Sequence, residues 1–160
     1  MASTNVRTPQ GVAYRERLSP SLWVLVAAAV CGPMAALVFA PIDTTLALVV
    51  GAVVGVAIVA LLVAGSPSLE VRDGVLHAGR ARIEVELLGA PTTAVGEEAR
   101  HARGSGLDPR SWHVIRGGID GVVTIPVIDP DDPTPVWVLS TRTPERLAAG
   151  IRREQKKAST

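Results

Sequence analysis

The chain has one cysteine, Cys31, in 160 residues, so it can form neither an intrachain disulfide nor a cysteine-based metal site. It has no strong charge imbalance: 16 Lys and Arg stand against 15 Asp and Glu, which leaves no electrostatic footprint for a nucleic acid. Its three histidines belong to no HxxH, HExxH or Cys/His cluster, and neither a metal nor a cofactor is expected. Ser105, Ser111 and Ser140 sit in no nucleophile elbow, and no helix follows Gly117, Gly118 and Gly121 to make a phosphate cradle. With no catalytic constellation, the expectation is a protein that is not an enzyme. The most informative absence is local. Between Arg17 and Asp43, and again between Asp43 and Glu70, no residue carries a formal charge.

Those stretches hold two apolar runs, Leu22 to Ala40 and Thr44 to Ala64. A helix needs about 20 apolar residues to cross ~30 Å of hydrocarbon, and each run has that length. Neither has a polar stripe that could face water. A soluble core of two buried helices is disfavoured, because the remaining residues are too few and too charged to cover both. A cleaved leader is disfavoured by Pro41 after Val38-Phe39-Ala40. With only Pro41, Ile42 and Asp43 between the runs, the expectation is an antiparallel transmembrane hairpin with both chain ends on one side. Arg7, Arg15 and Arg17 precede it, Arg72, Arg80 and Arg82 follow it, and the turn has no Lys or Arg. The basic flanks predict cytoplasmic termini in a multi-pass protein of the inner membrane.

Small residues recur at four-residue spacing: Ala28, Gly32 and Ala36 in the first run, Ala47, Gly51 and Gly55 in the second. Such stripes let backbones approach in lipid. They predict a seam between the two helices or, as the sharper alternative, a homo-oligomer or partner interface. No ionisable side chain lies inside either run, which argues against a proton or ion path.

After Gly65-Ser66-Pro67 the periodicity changes to two. Leu69 and Val71 alternate with Glu70 and Arg72, and Asp73-Gly74 is a two-residue hairpin signal. The register predicts Val71 opposite Leu76, Leu69 opposite Ala78, and Glu70 opposite His77. A third strand follows from Ala81 to Leu87, with further strands near 91–95, 112–115, 121–127 and 135–140. Thr143-Pro144 reads as the start of a final helix whose apolar face holds Leu147 and Ile151. The predicted fold is thus a two-helix membrane hairpin plus a mainly-β C-terminal domain. The expected divisions are a cytoplasmic N-terminal segment over 1–20, the hairpin over 21–65 (helices 22–40 and 44–64) and a cytoplasmic domain over 66–160. Seven strands closed by a C-terminal helix resemble the pleckstrin-homology-like barrel.

Two sets of polar residues are candidate sites. Arg15, Arg17, Arg72, Arg80 and Arg82 flank the apolar runs, where each basic residue near an anionic leaflet is worth ~1 kcal/mol. Asp129, Asp131 and Asp132 lie in a loop stiffened by Pro130, Pro133 and Pro135. That loop lacks the glycine and distal glutamate of a calcium loop, so it reads as a rigid turn that could meet a partner. The expected partners are the lipid bilayer and a protein. The leading reading is a membrane-anchored binding module at the inner leaflet; the alternative is an accessory or structural subunit of a larger membrane complex.

Three stretches carry a closer resemblance: Tyr14-Arg15-Glu16-Arg17-Leu18 with Pro20, the run from Asp73 to Ile83, and Asp129 to Pro135 leading into Trp137, Ser140, Thr141 and Arg142. With the hairpin, they resemble an actinobacterial membrane-protein family catalogued as domain of unknown function 3093, over roughly Val12 to Arg152. The resemblance implies an actinobacterial inner membrane and no assigned activity, and brings no catalytic residue with it.

Overall fold

The computed structural model describes residues 11–159. Arg7 of the basic flank lies outside them. The chain divides into two compact units, Ser19–Ser66 and the remainder on either side of it.

The inserted unit is a helical hairpin. Helix α1 spans Leu22–Phe39, running on through Pro33, and helix α2 spans Thr44–Ala64. Asp43 starts α2 as its N-cap, its Oδ1 accepting the Leu46 N–H at 2.7 Å, which satisfies one of the donors a helix start leaves open. Both helices are long and apolar enough to cross a membrane. Ala28 and Gly32 are the buried residues of α1, Ala47 and Gly51 those of α2. Large apolar side chains stand outside: Leu22 is 76% exposed, Trp23 83% and Leu61 72%. Buried helices of a soluble core would be covered on most sides, and these are not.

The second unit is built on eight strands. Strands β1 (Tyr14–Arg17), β2 (Ser68–Arg72), β3 (Val75–Ala78) and β4 (Ala81–Glu84) form an antiparallel sheet in sequence order. Asp73 and Gly74, with φ of 51° and 77°, make the tight β2–β3 turn, since two successive positive φ angles match the twist of the flanking strands. Val71 pairs with Leu76, Leu69 with Ala78 and Glu70 with His77. The inward side chains of this sheet include Leu69, Val71, Leu76 and Ile83, all buried. Strands β5 (Thr92–Ala94), β6 (Trp112–Val114), β7 (Val122–Pro126) and β8 (Val136–Ser140) form a second sheet in the order β5-β7-β8-β6. Its β6–β8 pair is parallel and the others antiparallel. Helix α3 (Gly96–Ala102) follows β5. Helix α4 (Pro144–Ala158) buries Leu147 and Ile151 in the core shared by both sheets.

Two expectations change. The N-terminal segment is not separate from the β domain: Tyr14 to Arg17 pair residue for residue with Val71 to Ser68. Alternation of polar and apolar residues over four positions, standing alone before an apolar run, is too short a signal to read as a strand. The third strand also ends early. Val85–Leu87 form one 3-10 turn, and the chain bends there from one sheet into the other. Gly89 N–H donates to Pro126 O at 2.8 Å and Ile128 N–H to Leu87 O at 2.9 Å, so the bent segment ties the sheets together. The described residues therefore give eight strands in two open sheets in place of seven.

The bend is held from α4. The Gln155 amide Nε2 donates to the carbonyl oxygens of Val85, Leu88 and Gly89 at 3.1, 2.7 and 3.2 Å. Replacing Gln155 with Ala leaves these carbonyls short of a donor. It is expected to lower unfolding stability by about 1 kcal/mol, read as a lower denaturation midpoint with the slope unchanged.

Candidate functional site

Register orders the outer face of the first sheet into rows. Nearest to where the chain leaves for the hairpin stand Arg17 and Ser68, paired in register, with Leu18 N–H donating to Pro67 O at 2.9 Å beside them. Gly79 N–H donates to Ser68 O at 3.0 Å, which brings the Gly79-Arg80 turn to this same end. Two residues further along lies the row Arg15, Glu70, His77, Arg82. Another two residues on come Arg72, Val75 and Glu84. At ~3.3 Å per residue, Arg72 sits about 13 Å from the end that carries Arg17 and Arg80. Thus the five arginines do not form one cluster. Arg15 pairs loosely with Glu70 at 3.9 Å, and Arg72 with its neighbour Asp73 at 3.1 Å.

Arg72 and Arg82 instead line a cleft that the acidic loop also lines. This cleft of about 770 Å³ is lined by Arg72, His77, Arg82 and Glu84 from the sheet, by Asp73 from the β2–β3 turn and by Asp129 and Asp132 from the loop. The loop is closed at its base, Val127 N–H donating to Pro135 O at 3.0 Å. Two aspartates brace it from within. Asp129 Oδ1 accepts the Asp131 N–H at 3.0 Å, and Asp132 Oδ1 accepts the Thr134 N–H at 2.8 Å. Each fold of the loop is thus an Asx turn. Asp131 is exposed and does not line the cleft.

A second polar cluster sits where β1 meets the β8–α4 junction. Glu16 Oε2 accepts hydrogen bonds from the Tyr14 and Thr141 hydroxyls, both at 2.5 Å. Its Oε1 accepts the Arg142 N–H at 3.1 Å and faces the Arg142 guanidinium at 3.4 Å. With the Tyr14 proton given to Glu16, the Thr143 hydroxyl donates to the Tyr14 oxygen at 3.0 Å. Burial pushes the Glu16 carboxyl upward, but the bonds from Thr141, Tyr14 and Arg142 outweigh it and hold the group below its ordinary value. Burial and the adjacent Glu16 push the Tyr14 hydroxyl up. No backbone ladder joins β1 to the second sheet among the described residues, and this cluster bridges them in its place. It is a fastening rather than a reactive centre, because its carboxylate is fully engaged.

In the hairpin, the small residues meet at backbone distance. A Cβ on Gly32 would lie 2.8 Å from Gly51 O. One on Gly51 would lie 2.8 Å from both Gly32 O and the Ala36 Cβ, and one on Gly55 3.4 Å from the Gly32 Cα. Beside this seam an apolar groove of about 1040 Å³ runs along the hairpin, with Ala29, Pro33 and Ala52 among its lining residues.

A family model described as "Protein of unknown function (DUF3093)" matches residues 13–151. The chain belongs to that family. Neither the curated proteins nor the solved structures gave a match. The matched stretch opens at the residue before β1 and closes inside α4, so the DUF3093 unit comprises the hairpin together with the domain that surrounds it in sequence. Two of the stretches that carried the resemblance, Tyr14 to Leu18 and Ser140 to Arg142, prove to share the Glu16 carboxylate across 125 residues of chain. Nothing in the local sequence marks that meeting. Both stretches are short, polar and silent about their partner until the sheets are known.

Proposed function

We propose that this DUF3093 protein is a membrane-anchored binding module, not an enzyme. In this reading the hairpin spans the inner membrane twice, and both termini and the two-sheet domain lie on the cytoplasmic side. One observation carries it: β1 and β2, on either side of the hairpin, pair residue for residue. Paired strands must share a compartment, so a hairpin between them crosses a bilayer an even number of times. The charge-free runs and exposed apolar side chains of α1 and α2 match the demands of hydrocarbon. The basic flanks favour the cytoplasmic side for the domain.

The domain would act at the inner leaflet. Only Ser19 to Ser21 and Gly65 to Ser66 lie between the sheet end and the helices. Arg17 and Arg80 lie at that sheet end, with Arg15 and Arg82 one row behind, and so form the headgroup-facing set. Arg72 falls outside it. We read the two sheets and α4 as an open variant of the pleckstrin-homology-like arrangement, with the Glu16 cluster spanning the gap.

The competing reading, an accessory subunit of a larger membrane complex or a homo-oligomer through the helices, draws on the apolar groove beside the Gly32–Gly51 seam. Reporter fusions test the topology. A cytoplasm-active reporter is expected to work at the C-terminus and to be silent when inserted at Asp43. Activity at both sites overturns the two-span arrangement, and the opposite pattern overturns the cytoplasmic placement of the domain.

A further inference from the structure

Strand β4 is the last strand of the first sheet and has a neighbour on one side only, β3. The β3 pairing fixes which backbone groups of β4 face outward. Ala78 pairs with Ala81 across the Gly79-Arg80 turn, and Val85 N–H donates to Gly74 O at 2.9 Å at the other end of the ladder. Antiparallel ladders alternate, so residues 81, 83 and 85 spend their backbone groups on β3. Arg82 and Glu84 aim theirs at the open side, where among the described residues they have no backbone partner. The side chains along this edge are sorted by sign. Arg80 and Arg82 precede Ile83, and Glu84 and Glu86 follow it at the same spacing. All four are exposed, and among the described residues no ion pair engages any of them. A charge order that reverses about one residue is complementary to itself when two copies run antiparallel.

We propose that β4 pairs with β4 of a second copy of this chain, antiparallel and centred on Ile83, so that one sheet continues across a two-fold axis. Arg82 of each copy then lies opposite Glu84 of the other. These are the residues whose backbone groups face outward, so each such pair also exchanges both backbone hydrogen bonds. Arg80 comes opposite Glu86 just beyond the strand. A shift of two residues either way sets Arg82 or Glu84 against itself, and like charges directly opposite are unfavourable. The cleft beside the acidic loop has Ile83 and Glu84 in its lining, and its four carboxylates outnumber its two arginines and one histidine. It therefore favours the approach of arginines from the second copy. A guanidinium has five donors, so Arg82 can serve a headgroup and a carboxylate together. The two Arg80 turns stand about 20 Å apart along the paired strands, at ~3.3 Å per residue, so this interface needs no contact between helices. The inference rests on the domain's own geometry, and a failed topology test leaves it standing.

The test follows the monomer–dimer equilibrium of the full-length protein in mild detergent by native mass spectrometry. The wild-type chain is expected to dimerise. Arg82→Glu and Glu84→Arg each set like charges opposite one another at both symmetry-related positions, and each is expected to weaken dimerisation about tenfold or more. The double variant restores opposite charges and is expected to recover the wild-type affinity. Ile83→Cys in a Cys31→Ser background is expected to form a disulfide between copies. Residues facing each other at a non-hydrogen-bonded position have Cα atoms about 4.5 Å apart, within disulfide reach. The proposal is overturned by a monomer at every concentration, by a dimer that both single variants leave intact, or by a double variant that does not recover.

Discussion

Leucine in place of Gly51 is expected to part the two helices and to give the largest loss of any single change in the hairpin. Even the first added carbon would stand 2.8 Å from the Ala36 Cβ and from Gly32 O. Neither obstacle can rotate away, since one is the root of a side chain and the other is backbone. Overpacking in a close-packed interior costs about 1–3 kcal/mol, and a leucine against backbone belongs at the upper end. Without a hydrophobic drive between helices in lipid, close packing is what holds such a pair. Steric trapping or detergent-titrated unfolding of the full chain should read a loss of about 3 kcal/mol for Gly51→Leu. Val53→Leu, at a position 62% exposed, should change nothing. Equal stability of both variants would mean that the Gly32–Gly51 contact does not hold the hairpin.

Removing the Glu16 carboxylate is expected to have the largest effect in the β domain. Glu16→Ala leaves the Tyr14 and Thr141 hydroxyls and the Arg142 N–H without their acceptor. Hydrogen bonds to a charged group contribute about 1.5–3 kcal/mol, so a loss of about 2 kcal/mol is expected in chemical denaturation. Glu16→Gln should lose less, because its amide oxygen can keep both hydroxyl bonds while its NH2 would face the Arg142 N–H and guanidinium, which are themselves donors. The pH dependence has a definite sign. The folded carboxyl titrates below its ordinary 4.5, so its contribution is complete above about pH 4.5 and disappears as pH falls through the folded value. Tyr14 titrates above its ordinary 10.0 in the fold, so a second loss sets in as pH rises past about 10. The wild-type protein should therefore weaken between pH 4.5 and lower values more steeply than Glu16→Gln. Parallel pH profiles would rule out Glu16 as the group responsible.

How far the sequence could be read follows from which interactions are local. The two apolar runs, the Asp73-Gly74 turn, the β2–β3 register and the Pro144 helix start all depend on residues within a few positions of each other, and each was legible. β1 was not, because its evidence is its partner, Val71 to Ser68, beyond the whole hairpin. The early end of the third strand was hidden for a similar reason. Ile83, Val85 and Leu87 keep the alternation of a strand, while Gln155, far along the chain, captures the carbonyls at the bend. Parallel pairing of β6 with β8 also leaves no mark on either strand alone. For the candidate residues, type and neighbourhood were readable but grouping was not. Arg72 looks like its fellow arginines in sequence, yet two-residue alternation carries it to the far end of the sheet.

The pairing of β1 with β2 also imposes an order on biogenesis. Strand β1 is synthesised before the hairpin, and its partner strand only after the hairpin is complete. The first sheet cannot be finished until both helices have been made, and β1 waits through that interval without a ladder. If one helix were to cross a bilayer and the other did not, β2 would be left as an open edge, a template for pairing with other chains. On the proposed two-span reading, insertion and folding would be coupled through one short strand: correct delivery of the hairpin would seal that edge, and incorrect delivery would leave it exposed to aggregation or to the proteases that clear unfinished chains.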